Sequence, residues 1–184
     1  MPGNSEYRST FFGWSIKRPR SPLLALLLST LSLNACADSE AMRLLRDATA
    51  TGQCEISYKG KQEAIIPLTA TAFSLPAADQ AEVIELITRQ VANGCSLDAP
   101  DSEGITAINV AVLKSEPLLL RQLMKMGADP EPAIVSERPW LNGLNSLEFA
   151  ALIYERAPTP ERGEVVRLLE KFDRADRGAI PPGS

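Results

Sequence analysis

The chain has 184 residues, 45% of them apolar and 23% charged, with a formal net charge of −4. That composition excludes a disordered or fibrous chain and suits one globular domain plus a targeting segment. There is no histidine, which removes the imidazole general base, the commonest zinc ligand and every imidazole triad.

Charge is unevenly placed. Before Cys36 there are four basic residues and one acidic residue; after it there are 15 basic and 22 acidic. An acidic domain repels nucleic acid phosphates and favours a basic protein surface. No G-x-G-x-x-G, Walker loop or paired C-x-x-C occurs, so no cofactor or metal is expected and the reading is of a non-enzyme.

Residues 1–22 are polar and basic, with Lys17-Arg18-Pro19-Arg20 near their end. Residues 23–33 read LLALLLSTLSL. As helix this run covers roughly 16 Å, about half a bilayer core, so it reads as a secretory signal rather than a spanning helix. Leu33-Asn34-Ala35-Cys36 resembles the lipobox of bacterial lipoproteins. That resemblance implies a signal peptide over 1–35, lipidation of Cys36 and a short tether over 36–40. Ala37, where inner-membrane retention would have aspartate, points by the same resemblance to the periplasmic side of the outer membrane. Ordinary cleavage after Ala35 would instead give a soluble periplasmic protein. Acyl chains on one cysteine suffice to hold a soluble domain at a membrane.

Beyond the tether, Ala41–Ala48 reads as one lone helix with Met42, Leu44 and Leu45 apolar. Pro67–Phe73 reads as a helix, Leu75–Asp79 as a linker, and the spacing of Val83, Ile84, Leu86, Ile87 and Val91 as a second helix. The stretch from Asp101 to Ala111, DSEGITAINVA, places an Asx turn at Asp101, a positive φ at Gly104 and a helix cap at Thr106. A helix at Leu118–Met124 ends in Gly127-Ala128-Asp129-Pro130, and Gly94 precedes Gly127 by 33 residues. Gly143–Ala151 restates the motif with Asn145 in the threonine position, and Val165, Val166, Leu168 and Leu169 mark a further helix.

These residues resemble the ankyrin pattern D-x-x-G-x-T-P-L-H-x-A and its 33-residue period. Asn109 replaces the family's usual histidine. The resemblance implies an all-α ankyrin-repeat solenoid over 41–173, of about three repeats plus an N-terminal capping helix, with a loose tail over 174–184. Ankyrin stacks bind proteins through their turn tips and first helices.

Cys54 and Cys95 each follow a glycine closely, Gly52 and Gly94. Outside the cytoplasm such a pair either oxidises to a disulfide or stays as two buried thiols, and the sequence leaves both open. Residues 131–142, EPAIVSERPWLN, exceed the spacing of the preceding turn and read as an insertion. Trp140 within it is either an interface anchor or a lid over the core. With Arg138 it is a candidate partner contact. Asp98, Asp101, Glu103, Asp129, Glu131 and Glu137 are expected to line the same tips with negative charge. Small ankyrin-type lipoproteins are similar to immunity proteins found beside type VI effectors. That implies a partner with a basic toxin surface, such as a phospholipase effector, with no nucleic acid partner and membrane attachment by lipid only. The alternative is a general periplasmic scaffold or stress-protective partner.

Overall fold

A computed structural model describes residues 40–76 and 78–178. The expected signal segment, Cys36 and residues 179–184 of the expected tail lie outside the described residues, as does Ala77 of the linker. Most of the described chain is helical, with one small two-stranded sheet.

Helix α1 covers residues 40–50 and buries Met42, Leu45 and Ala48. A hairpin follows, with β1 at Glu55–Tyr58 and β2 at Lys61–Ala64 paired antiparallel, Tyr58 opposite Lys61. Its two-residue loop, Lys59-Gly60, has φ of 51° and 78°. Two successive positive φ values match the right-handed twist of the strands, and glycine takes one of them without strain. The sheet departs from the all-α expectation. Ile56 of β1 and Ala64 of β2 are its buried residues.

The chain passes from β2 straight into α2, Ile65–Ala72, and then to α3, Gln80–Ala92, capped by the Asp79 carboxylate on Ala81 N–H at 2.9 Å. Helix α4, Ala107–Lys114, starts at Thr106, and α5, Pro117–Lys125, begins on a proline whose missing N–H costs nothing there. Asn145 and Glu148 form a reciprocal capping box on α6, Ser146–Arg156. Helix α7, Pro160–Gly178, runs past the expected domain end at 173.

Helices pack in pairs: α2 with α3, α4 with α5, α6 with α7. The first members touch in sequence, α2 on α4 and α4 on α6. The second members are linked across their outer surface by Arg46–Glu82 from α1 to α3, Thr88–Met126 from α3 to the end of α5, and Arg121–Glu164 from α5 to α7. Between the two rows lies the core, with Phe73, Phe149, Ile66, Ile108, Leu119 and Leu123 fully enclosed. Five polar residues, Thr49, Thr69, Gln90, Asn109 and Ser146, are buried in it and bond one another in two groups. Gln90 donates to Thr49 Oγ1 and Thr69 Oγ1 at 2.9 and 2.8 Å, and Asn109 accepts from Ser146 Oγ at 3.0 Å. Gln90 Oε1 has no partner among the described residues.

Cys54 and Cys95 are joined as a disulfide, with Cα atoms 5.1 Å apart. The hairpin makes this contact: Cys54 precedes β1, and its carbonyl accepts from Ile65 N–H at 2.9 Å. That bond closes the hairpin base over the start of α2, and the bridge joins the base to the turn after α3.

Candidate interaction surface

The segment between α5 and α6 is held at both ends before it reaches solvent. Asp129 N–H donates to the Asp98 carboxylate, and the Asp129 carboxylate accepts from Glu131 N–H, each at 2.9 Å. Ile134 and Leu141 are buried and pin the segment to the core. Ile134 also exchanges backbone hydrogen bonds with Leu144 and Gly143, at 2.9 and 2.8 Å. Asn142 Oδ1 accepts from Ser136 N–H at 3.0 Å, and the Arg138 carbonyl accepts from Leu141 and Asn142 N–H, both at 3.0 Å. Between these anchors Val135 stands 80% exposed.

Trp140 is packed on one side and open on the other. Its ring centroid lies 6.3 Å from that of Phe149, and the Arg156 guanidinium sits 5.5 Å above the ring. The side chain is still 43% exposed. Phe149 and Arg156 hold the indole in place, so little rotamer entropy remains to be lost when a partner covers it.

Glu103 ties three distant parts of the chain together. One carboxylate oxygen accepts from Lys61 Nζ at 2.8 Å and the other from Arg138 at 3.0 Å. The hairpin, the turn before α4 and the insertion are thereby clamped. Lys61 and then Arg138 hold the Glu103 carboxyl below its ordinary range. Beside it, Glu63 accepts from Ser102 N–H and Oγ at 2.8 and 2.7 Å.

A pH dependence follows from the sign of that shift. A lowered carboxyl stabilises the folded state fully above its ordinary value of 4.5, and the contribution disappears as pH falls through the lowered one. Amide protection over 131–142, taken relative to the intrinsic exchange rate at each pH, should therefore fall on acidification below that range more than protection in α4. Glu103→Gln should loosen the segment already at neutral pH and flatten the response. Equal acid sensitivity in the variant would remove Glu103 as the cause.

The expected acidic cluster is divided by these contacts. Asp101 is half-buried and turned to its own backbone, accepting from Glu103 and Ile105 N–H at 2.9 and 2.8 Å. Burial raises its carboxyl despite those two bonds. Asp98, Asp101, Glu103 and Asp129 thus organise the turns, and Arg138 is spent on Glu103. Glu131 and Glu137 are exposed, and their carboxylates make no hydrogen bond or ion pair among the described residues. What the segment presents outward includes Val135, Trp140, Glu131 and Glu137, together with Arg138 and with Arg156, which lies over the Trp140 ring.

Lys61, Phe149 and Arg156 were not assigned from sequence. The Lys59-Gly60 dipeptide beside an alternating strand was the signal for the hairpin that delivers Lys61. Nothing local marks Phe149 and Arg156, which reach Trp140 only through the packing of α6.

Among the described residues no helix is long and apolar enough to cross a membrane, and no cluster of three or more His, Cys, Asp or Glu is placed to hold a metal. No family model matches the chain, and no curated protein matches it either.

Proposed function

We propose that this chain is an ankyrin-type, protein-binding lipoprotein of the bacterial envelope, lipid-anchored through Cys36 on the periplasmic side of the outer membrane, and that it neutralises a secreted toxin acting there. The observation that carries the reading is the pre-organised surface of the 131–142 insertion. It offers a clamped tryptophan and an exposed valine beside two glutamates. Such a patch suits a basic partner that brings an apolar contact of its own. The turn-helix-helix pairing with first helices packed in sequence supports the ankyrin reading. The Cys54–Cys95 bridge supports an oxidising compartment.

The test is genetic and then biochemical. Deleting the gene should sensitise cells to siblings that deliver the matching effector, and full resistance of the deletion strain to an active effector counts decisively against the proposal. Tagged protein should capture one tight partner from competing cells. Capture of several resident envelope proteins instead would favour a scaffold. Trp140→Ala should weaken capture by at least about 30-fold, the effect of losing one anchor residue, while the domain stays folded as read by circular dichroism.

A further inference from the structure

Two asparagines of the chain are followed by glycine, in Asn93-Gly94 and Asn142-Gly143. In such a pair the backbone can attack the side chain that precedes it. Glycine has no Cβ to keep its amide nitrogen away from the asparagine Cγ, and it lets the backbone reach the conformations the attack needs. Both asparagines are exposed. Both glycines sit at positive φ, 93° and 87°. The fold treats the two pairs differently.

Asn93 closes α3 in helical conformation, with φ −75° and ψ −3°. Its side-chain amide donates to the Thr49 carbonyl at 2.9 Å. The next two N–H groups, of Gly94 and Cys95, donate to the Val91 and Gln90 carbonyls at 2.9 and 3.0 Å. Cys95 is also bridged to Cys54. Bringing the Gly94 nitrogen onto the Asn93 side chain means unwinding the end of α3 against the disulfide.

Asn142 ends the 131–142 insertion and lies outside any helix. Its Oδ1 accepts from Ser136 N–H at 3.0 Å. A backbone donor on that oxygen draws electron density from Cγ and favours the oxyanion that an attack forms there. The nucleophile is held back by the bond from Gly143 N–H to the Ile134 carbonyl, at 2.8 Å. Opening of the segment frees it. Arg138 ties the segment to Glu103 through an exposed pair, and exposed pairs contribute little.

We propose that Asn142 is a self-modification site, converted to aspartate and isoaspartate whenever the 131–142 segment opens. The Gly143 nitrogen gives its proton to solvent and attacks Asn142 Cγ. The bond from Cγ to Nδ2 breaks and ammonia leaves, closing a cyclic imide. Water then opens the ring. Attack on Cγ gives aspartate, and attack on the Asn142 backbone carbonyl carbon gives isoaspartate. Water is the only co-reactant. Either product sets a new carboxylate two positions from Trp140. Isoaspartate also adds a carbon to the main chain between Leu141, which is buried, and Gly143, which is bonded to Ile134. The chemistry needs no partner. Its consequence for capture rests on the reading of this segment as the interaction surface.

Peptide mapping by mass spectrometry tests this on the full-length folded chain, held in mildly alkaline buffer at physiological temperature, with isoaspartate scored by enzymatic methylation. Conversion at Asn142 should run several-fold ahead of conversion at Asn93, and the two rates should converge in denaturant. Glu103→Gln weakens the tie to Arg138 and touches nothing at Asn93. It should speed conversion at Asn142 by about two- to fivefold and leave Asn93 unchanged. Conversion at Asn93 that matches or exceeds Asn142 in the folded chain overturns the proposal. So does a rate at Asn142 that Glu103→Gln does not alter, because opening of the segment would not then control it. Converted protein that still captures its partner in full removes the consequence for binding and leaves the chemistry standing.

Discussion

Replacing Cys54 and Cys95 together by serine should lower the stability of the domain by about 4 kcal/mol, the loop-closure entropy of a cross-link whose ends are 41 residues apart. For a domain with a total stability of roughly 5–15 kcal/mol this is a large share. The bridge fastens α1 and β1 to the turn after α3. The other ties of α1 to that region are few: the exposed Arg46–Glu82 pair, and Thr49 bonded to Gln90 and Asn93. An exposed ion pair contributes little. The damage should therefore appear first in α1, as amide exchange that rises there before it rises in α4. Urea unfolding of the oxidised protein and the double variant measures the total. A loss below about 1 kcal/mol would mean that strain in the native state or residual structure in the unfolded chain cancels the entropy term.

Gly104→Ala should disorganise the proposed binding surface. At Gly104 φ is +82°, and a Cβ there would stand 1.9 Å from the Val135 carbonyl oxygen and 2.8 Å from its carbon. Both atoms are backbone, so the insertion must move as a unit. The backbone strain alone costs about 1–2 kcal/mol for a residue with a Cβ. Gly127→Ala isolates that part: φ is +95° and nothing lies within 4 Å of the added carbon. We expect the Gly104 variant to lose clearly more stability than the Gly127 variant, to change the Trp140 emission, and to lose partner capture. Matching losses in the two variants would show that the insertion yields without cost.

The helices were legible where chemistry repeats at fixed offsets. Thr106 and Asn145 stand before their helices as caps, Gly104 turns the chain, and Ile108 and Ala111 point inward. Each is a local requirement that the residue type itself carries. The hairpin was less legible because Lys59 occupies a left-handed position usually given to asparagine, aspartate or glycine. The disulfide stood open for the same reason: without the hairpin, nothing places Cys54 beside Cys95. At the proposed surface, acidic side chains near turns read as a charged face. Whether a carboxylate faces a partner or its own backbone depends on which N–H groups the fold brings within reach. Asp98, bonded to Asp129 N–H 31 residues away, shows why composition cannot decide it.

The Glu103 clamp also bears on the order of folding. Its three members, Lys61, Glu103 and Arg138, are 42 and 35 residues apart along the chain. Closing loops of that length is slow compared with forming the adjacent helix pairs. We expect the clamp to close after the helix pairs have formed, which would show as unfolding that is faster in Glu103→Gln with refolding unchanged. Interactions absent from the transition state govern how fast a protein comes apart, and hardly how fast it assembles. Each pair of the clamp is exposed and adds little by itself, so the clamp's effect falls on when the 131–142 segment opens rather than on the stability of the whole domain.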